Sequence, residues 1–190
     1  MKLTVALRLE RNLYLEERVK VILLKEVSDL FDGETFLKLG KGMEVELPRW
    51  LAKKLVDMNY AKYVKEKGVD ETLKEVAKFR FLESKKDDPL PTQLPQDFFK
   101  RVREVVDKYK NPVFEGKDVE ELAQKLLKVT KIKAQLEELI DLRLMKIISK
   151  IINEGEVPVS LRERLTPEEQ VIADELEGDI SQWKRVVIGE

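Results

Sequence analysis

The chain has 190 residues, of which 43% are hydrophobic, and this allows one medium domain or two small domains with a buried core. Its 36 basic and 37 acidic residues leave a formal net charge of −1, which excludes a global field that attracts nucleic acid. Cysteine and histidine are both absent, so disulfides, thiolate chemistry, imidazole bases and the usual zinc sites are excluded. Few groups remain for catalysis.

The apolar runs of the sequence are short, and charges interrupt the start of the chain. Val21–Leu24 is among the longest runs, against the roughly 20 residues that a membrane-spanning helix requires. Arg8, Glu10 and Arg11 leave no apolar region of a signal peptide. These patterns predict a soluble, cytoplasmic protein, and the Lys- and Glu-rich composition without cysteine suits a hyperthermophile.

Residues 1–66 carry the alternating pattern of β-strands, which predicts a small β-rich domain. The run 19–23 alternates apolar residues with others, and an Asp-Gly pair at 32–33 separates it from the run 35–39. The two runs are predicted to pair as a hairpin.

A turn, a strand, a helix and a further strand complete the predicted small domain. Gly40-Lys41-Gly42 indicates a turn, because a phosphate loop would have a third glycine and a Lys-Ser/Thr pair. The run 43–47 then alternates as a strand does. Pro48 fits the first position of a short helix that ends near Met58, and the run 59–64 returns as a strand.

From residue 67 the apolar spacing becomes helical, which predicts a C-terminal helical bundle after a polar break at 65–68. Asp70 is predicted to cap the first helix, and a second helix is predicted from about Pro95 to Tyr109. The fold class is therefore predicted as α+β and predominantly helical, with a small β-rich domain at 1–66 and a helical domain at 67–190.

Two further helices complete the predicted bundle. The longest is predicted from Asp118, which forms a capping-box-like pair with Glu121, to about Ile152. Its first half has one apolar stripe, whereas its second half is apolar on several sides and needs more cover than short neighbours supply. A second subunit would supply that cover. The last helix is predicted to begin at 166–169, with a separate short turn that carries Trp183.

No motif of the sequence marks a catalytic, cofactor or metal site. Asp87-Asp88, or Glu154 with Glu156, could hold a hard cation, but acidic pairs in so charged a chain favour solvated loops. A hydrolase that uses carboxylates alone stays open, because such residues can be distant in the sequence. The sequence favours a protein that is not an enzyme and has no metal or cofactor.

The lysines of the long helix support an alternative function. A nucleic-acid face could include six of them, namely Lys125, Lys128, Lys131, Lys133, Lys146 and Lys150. Glutamates interleave with these lysines, which favours the solvated side of an amphipathic helix. A nucleic-acid-binding module is thus kept as the alternative to an assembly subunit.

Trp50 lies at the edge of the apolar stripe formed by Leu51 and Leu55 on the short helix. Packing of its ring on the sheet of the same domain is favoured over contact with a partner. A partner contact stays open.

Four segments, taken in order, resemble a subunit of the GINS replication complex, in the subclass that has the small β domain before the helical domain. The segments are Val45–Ala52, Leu94–Phe99, Asp141–Ile147 and Leu165–Glu169. Their order and spacing over most of the chain carry the resemblance.

The resemblance implies an archaeal-type, non-catalytic scaffold that pairs with a sister subunit of reverse domain order into a heterotetramer. It implies a link between the MCM helicase and a RecJ-like partner at nucleoid-associated replication forks, with at most weak direct contact to DNA. It also implies that Arg143 and Lys146 form ion pairs, either within the domain or between subunits. The candidate motif or interface positions are Leu47, Pro48, Arg49, Trp50, Phe98, Phe99, Arg143, Lys146, Ile147, Ile148 and Ile151.

Overall fold

The computed structural model describes residues 3–65, 67–85, 88–109 and 119–189. The elements in these residues are α1 (Leu3–Glu16), β1 (Arg18–Leu23), β2 (Val27–Phe31), β3 (Phe36–Leu39), β4 (Glu44–Pro48), α2 (Arg49–Asp57), β5 (Ala61–Tyr63), α3 (Val69–Glu83), α4 (Phe98–Lys108), α5 (Val119–Glu154), α6 (Val159–Arg162) and α7 (Pro167–Ile188). The predicted fold class is confirmed, because the chain is predominantly helical with a small N-terminal sheet region and one long helix.

The chain folds as two compact units. The small unit is Arg8–Glu66, and the helical unit combines Met1–Leu7 with Lys67–Glu190. Helix α1 therefore contributes its first residues to the helical unit and the rest to the small unit.

The small unit is built on a three-stranded antiparallel sheet in the order β4-β1-β5. In the central strand, Val21 lies opposite Val45 on one side and Tyr63 on the other. Its side chain is fully buried, because alternate residues of a strand point to the same face and this face meets the core. Leu51 of α2 packs in the same core.

The predicted pairing of the run 19–23 with the run 35–39 is wrong. The run 36–39 pairs with β2 across the turn at 32–35, and the run 19–23 pairs instead with β4 and β5. The alternation of β2 is broken, because Asp29 has a φ of 58° and the register shifts between Val27 and Leu30. The sequence pattern therefore conceals this strand.

Two helix starts in the first third of the chain also differ from the prediction. Helix α1 was not predicted, because Leu3, Val5, Leu7 and Leu9 alternate as the residues of a strand do. Pro48 ends β4 and takes the N-cap position, so α2 begins one residue later than predicted. The predicted turn at 40–42, the strand after it and the returning strand β5 are confirmed.

Helix α5 is the axis of the helical unit. Its Leu139 lies in one core with Val76 of α3 and Phe98 of α4. Its Ile151 lies in a second core with Leu161 of α6 and residues of α7. Across the described residues, no helix combines the length and the apolar character needed to cross a membrane.

Several helix boundaries of this unit differ from the prediction. Gly68, rather than Asp70, takes the N-cap position of α3, and the Thr72 hydroxyl donates to its carbonyl oxygen at 2.9 Å. Helix α4 begins at Phe98, three residues after the predicted start. Helix α7 continues to Ile188, so the separate turn predicted near its end is wrong. One glycine within the helix weakens it without ending it.

The long helix is confirmed, with 36 residues and a length of about 54 Å. The predicted cap Asp118 lies outside the described residues, as does Asp87. Helix α6 was not predicted, because four residues are too few to show a helical period.

Candidate functional site

Arg143 lies at the centre of a buried ion-pair cluster that joins α3, α5 and α7. The residue is 1% exposed. Its Nη1 donates to Oε2 of Glu83 at 2.9 Å, and its Nε and Nη2 donate to the two carboxylate oxygens of Glu169 at 2.5 and 2.8 Å. One guanidinium therefore links two carboxylates that belong to different helices.

Lys146 adds a second cation to this cluster. It follows Arg143 by about one helical turn on α5, and its Nζ lies 2.8 Å from Oε1 of Glu83. Two cations thus face the two carboxylates of Glu83 and Glu169. This neutrality matters, because a buried charge without a partner costs several kcal/mol, on the order of 3–5.

The same cluster holds the irregular segment 88–97 against α5. The Nη1 of Arg143 donates to the carbonyl oxygen of Thr92 at 2.5 Å, and the backbone N–H of Thr92 donates to Glu83 at 2.9 Å. Lys146 lies 3.5 Å from the carbonyl oxygen of Leu90. Buried backbone groups need such partners in a segment without secondary structure.

Asp88 fixes the start of that segment to the turn before α7. Its carboxylate accepts from the backbone N–H of Leu90 at 2.9 Å and from Nη1 of Arg164 at 2.6 Å. The backbone hydrogen bond and the arginine lower the pKa of Asp88. The described member of this acidic pair is therefore bound to an arginine side chain.

The capping box that the sequence predicts at 166–169 starts α7. The backbone N–H of Thr166 donates to Oε2 of Glu169 at 2.9 Å. The carboxylate that caps α7 is thus the one that binds Arg143. The cluster therefore links α3, α5 and α7 through one arginine and two carboxylates.

An apolar groove lies between α4, α5 and α7, with a volume of about 420 Å³. Its apolar lining includes Phe99, Val106, Leu136, Ile140, Leu144 and Ile172. Charged residues of both signs also line it, namely Arg103, Asp107, Lys133, Glu168 and Glu169. We refer to it as the α4–α7 groove. An open apolar concavity of this kind is typical of a contact surface.

The second half of α5 is apolar on several sides, as predicted from its sequence. Ile147 and Ile151 face the core, and Ile140 lies in the α4–α7 groove. Met145 and Ile152 are exposed at 68% and 53%. Part of the apolar surface of this helix therefore has no cover from the described residues of the chain.

The candidate motif or interface residues that the sequence indicates differ in how far the structure buries their side chains. Leu47, Pro48, Phe98, Arg143, Ile147 and Ile151 are buried, while Arg49, Phe99, Lys146 and Ile148 are half-buried. Trp50 is 37% exposed, so its ring is not enclosed by the small unit. Arg143 and Lys146 lie in the buried ion-pair cluster, and Phe98 lies in the first core. Phe99 and Ile147 line the α4–α7 groove, and Ile151 lies in the second core.

Arg49 has a structural role in the small unit. Its guanidinium lies 4.0 Å from the centre of the Tyr14 ring, and its Nη2 lies 3.4 Å from the carboxylate of Glu17. Its backbone N–H donates to the carbonyl oxygen of Glu17 at 2.9 Å. These contacts join the start of α2 to the end of α1 and to Glu17, the residue that follows α1.

The sequence pattern does not reveal the partners of Arg143. Glu169 was predicted only as a capping acid, and Glu83 carried no signal of its own. Arg143 and Glu83 are 60 residues apart in the chain, so no local period connects them.

Several lysines of the long helix are engaged in ion pairs. Lys125 lies 2.5 Å from Glu121, and Lys128 lies 2.7 Å from Asp70, a hydrogen bond that lowers the pKa of Asp70. Lys150 pairs with Glu154. The helix thus presents a mixed surface rather than a uniformly basic one. Within the described ranges, no group of three or more acidic side chains is placed to hold a metal ion.

A model of a known protein family matches most of the helical unit. Residues 70–188 match the Sld5 family model, described as a GINS complex protein helical bundle domain. This region is well over half of the chain, and it contains all four charged residues of the buried cluster. No curated protein matches the chain.

Proposed function

Because the chain belongs to the family of GINS complex proteins and is therefore a subunit of a replication complex, we propose that it acts there as a non-catalytic scaffold. Its task is to bind a sister GINS subunit through the helical unit. The observation that carries this proposal is the α4–α7 groove, which lies within the matched region except for one lining residue of α1. The buried ion-pair cluster around Arg143 supports a structural role for the helical unit.

Within this proposal, the complex is a heterotetramer of archaeal type. The small unit corresponds to the β domain of the subclass that carries it first, and the helical unit corresponds to its helical domain. The assembly links the MCM helicase to a RecJ-like partner at the replication fork. The order of the two units along the chain supports this assignment, and the charged composition without cysteine suits a thermophile.

The α4–α7 groove has the chemistry of a subunit contact. Ile140, Leu144 and Ile172 offer aliphatic surface that gains about 25 cal/mol per Å² when a partner covers it. Arg103 and Asp107 form an ion pair at the groove, 3.6 Å apart. Charges at the margin of an apolar contact set orientation and specificity more than affinity.

Light scattering of the purified chain, alone and mixed with a sister GINS subunit, tests the proposal. The expected result is a stable mixed complex. Replacing Ile140 with Asp should weaken that complex by at least about tenfold, because the charge would have to be buried in an apolar contact. Val159→Asp, at an exposed position of α6 that lies outside the groove, is the matched control and should bind as the wild type does.

Circular dichroism of each variant separates a lost contact from a lost fold. A wild-type chain that stays monomeric and does not bind a sister subunit would contradict the proposal. So would an Ile140→Asp variant that is folded and binds the sister subunit unchanged.

A further inference from the structure

One side of α3 is basic and carries an exposed aromatic ring. Lys74, Lys78 and Phe81 follow one another at spacings of four and three residues, and Lys85 extends the row two residues past the end of the helix. Residues at these spacings share one side of a helix. At about 3.6 residues per turn, this side lies opposite Val76, which is fully buried in the core. We refer to Lys74, Lys78, Phe81 and Lys85 as the α3 basic face.

The side chains of the α3 basic face are open to solvent. Phe81 is 61% exposed, and the three lysines are exposed as well. The Nζ of Lys85 lies 5.2 Å from the centre of the Phe81 ring, so a cation and the face of an aromatic ring are held next to each other. The face therefore presents a flat apolar ring within a basic surface.

The lysines of this face keep their charges available, in contrast to several lysines of α5. The ion pairs that the structure shows for α3 are made by its other charged residues, namely Asp70, Glu75, Arg80 and Glu83. Within the described ranges, Lys74, Lys78 and Lys85 have no ion-pair partner. Glu71 begins the same row before Lys74, so the face becomes more basic toward the C-terminal end of α3.

An exposed ring between cations has the chemistry that a single strand of nucleic acid requires. The bases of a single strand stack their flat faces on aromatic side chains, while basic side chains contact the phosphates. A duplex covers those base faces within its own stack. An apolar side chain of an acidic peptide would need a pocket, and the α4–α7 groove takes none of its lining from α3. These features favour a single strand over a duplex or an acidic peptide.

We propose that the α3 basic face binds single-stranded DNA, with one base stacked on Phe81 and the phosphates on either side bound by the lysines. Lys78 lies about one turn before the ring, and Lys85 about one turn after it. Lys74 and Lys85 are about 16 Å apart along the helix axis. Several nucleotides span this length, at about 3.4 Å each along a stacked strand.

This site goes beyond the proposed contact with a sister subunit, which uses the α4–α7 groove. The choice of DNA as the strand rests on the proposed function, because the chain is a subunit of a replication complex. The net charge of −1 gives the chain as a whole no attraction for DNA. Binding therefore depends on a few local side chains, and single substitutions should have measurable effects.

Fluorescence anisotropy of a labelled oligothymidine strand, measured with the purified full chain, tests the site. A strand of about 20 nucleotides is longer than the usual site sizes of single-strand binding proteins. The wild type should bind it, and log affinity plotted against log salt concentration should have a slope of about −2, because three lysines displace counterions from the strand. Unlabelled polyglutamate of equal charge should compete far less well than unlabelled oligothymidine.

Two substitutions separate stacking from charge. Phe81→Ala should weaken binding at least about fivefold at every salt concentration and leave the slope unchanged, because it removes a stacking ring and no charge. Lys78→Gln should weaken binding and make the slope shallower by about 0.7, because it removes one phosphate contact. Phe81→Trp keeps a stacking ring, so it should retain binding, and the strand should quench its added indole fluorescence.

The matched controls lie in the small unit. Phe36→Ala removes a ring that is 73% exposed, and Lys53→Gln removes an exposed cation of α2. Both variants should bind the strand with the affinity and the salt slope of the wild type. Circular dichroism of every variant shows that a change in binding is not a change in fold.

Four outcomes would overturn the site. They are a wild type that does not bind the strand even at low salt, a folded Phe81→Ala variant that binds unchanged, a folded Lys78→Gln variant with an unchanged slope, and polyglutamate that competes as well as oligothymidine. Light scattering of Phe81→Ala with the sister subunit separates this result from the proposed function. If the wild type binds the strand but not the sister subunit, only the proposed function fails; if it binds the sister subunit but not the strand, only this site fails.

Discussion

Arg143 and Glu169 form a bidentate ion pair, in which Nε and Nη2 of the arginine donate to the two carboxylate oxygens at 2.5 and 2.8 Å. The two residues are 26 positions apart and lie on different helices. Since Glu169 also accepts from the backbone N–H of Thr166, one carboxylate fixes both the start of α7 and its place against α5. The pair thereby positions the helices that border the α4–α7 groove.

Replacing Arg143 with Met should lower the free energy of unfolding by about 3–5 kcal/mol, because it leaves two buried carboxylates with Lys146 as their remaining cation. Urea denaturation followed by circular dichroism measures this change. The control is Arg162→Met, which removes an arginine paired with Asp174 at 2.7 Å on the surface. Its cost should stay within about 1 kcal/mol, as for other exposed pairs. A loss of similar size in both variants would contradict the special role of the buried pair.

Glu75 of α3 makes stability depend on pH. Its carboxylate binds Lys67 at 2.8 Å and Arg101 at 3.2 Å. Burial raises the pKa of Glu75, but the hydrogen bonds from Lys67 and Arg101 outweigh burial, so the pKa lies below its ordinary value of 4.5. Because the folded pKa is lower than the unfolded one, the stabilisation is present above 4.5 and is lost as the pH falls through the folded pKa.

Glu75→Gln should therefore be less stable than the wild type at neutral pH, and the difference should vanish in acid. Melting temperatures measured from about pH 7 down to about pH 3 follow the two proteins together. Arg101→Met in the wild type and in Glu75→Gln provides a double-mutant cycle, and its effect should be smaller in the second background. A difference between wild type and Glu75→Gln that is constant with pH would show that the charge of this carboxylate does not contribute.

Local periodicity made part of the fold predictable. Burial repeats every two residues along β4 and every three or four along α5, so the sequence pattern showed both elements. The start of α7 was readable, since Thr166, Pro167 and Glu169 act on backbone groups within one turn. Each of these features depends on neighbours in the sequence.

The features that the sequence concealed depend on distant residues or on broken patterns. Glu83 has its role only because Arg143, 60 residues away, lies beside it. Asp29, with its positive φ, interrupts the alternation of β2. Leu3–Leu9 alternates as a strand does, although it is helical.

Two glycines should respond to alanine in opposite ways. Gly42 lies in the turn before β4 with a φ of 84°, whereas Gly178 lies within α7, and a Cβ at either position would meet no atom within 4 Å. Neither position is crowded, so the backbone conformation determines the sign of the effect on stability. Gly42→Ala should destabilise the protein by about 1–2 kcal/mol, because L-residues disfavour positive φ. Gly178→Ala should stabilise it by about 0.5–1 kcal/mol, because alanine is the better helix former. Thermal unfolding of both variants measures the two signs, and equal signs would contradict the explanation.

Asp32 should control the turn between β2 and β3. Its Oδ1 accepts from the backbone N–H of Glu34 at 3.0 Å and of Thr35 at 2.8 Å, and these hydrogen bonds, with the help of Arg18, lower its pKa. Asp32→Ala removes the acceptor, so amide hydrogen exchange at Thr35 should become several-fold faster, since the turn opens more often.

Asp32→Asn keeps a side-chain oxygen that can accept the same bonds and should preserve most of the protection. Glu34→Ala is the matched control, because it removes an exposed carboxylate that lies 3.5 Å from Arg18 but leaves the turn acceptor in place. Exchange at Thr35 should then stay close to the wild-type rate. If Glu34→Ala accelerated exchange as much as Asp32→Ala does, the ion pair with Arg18, rather than the backbone hydrogen bonds of Asp32, would hold the turn.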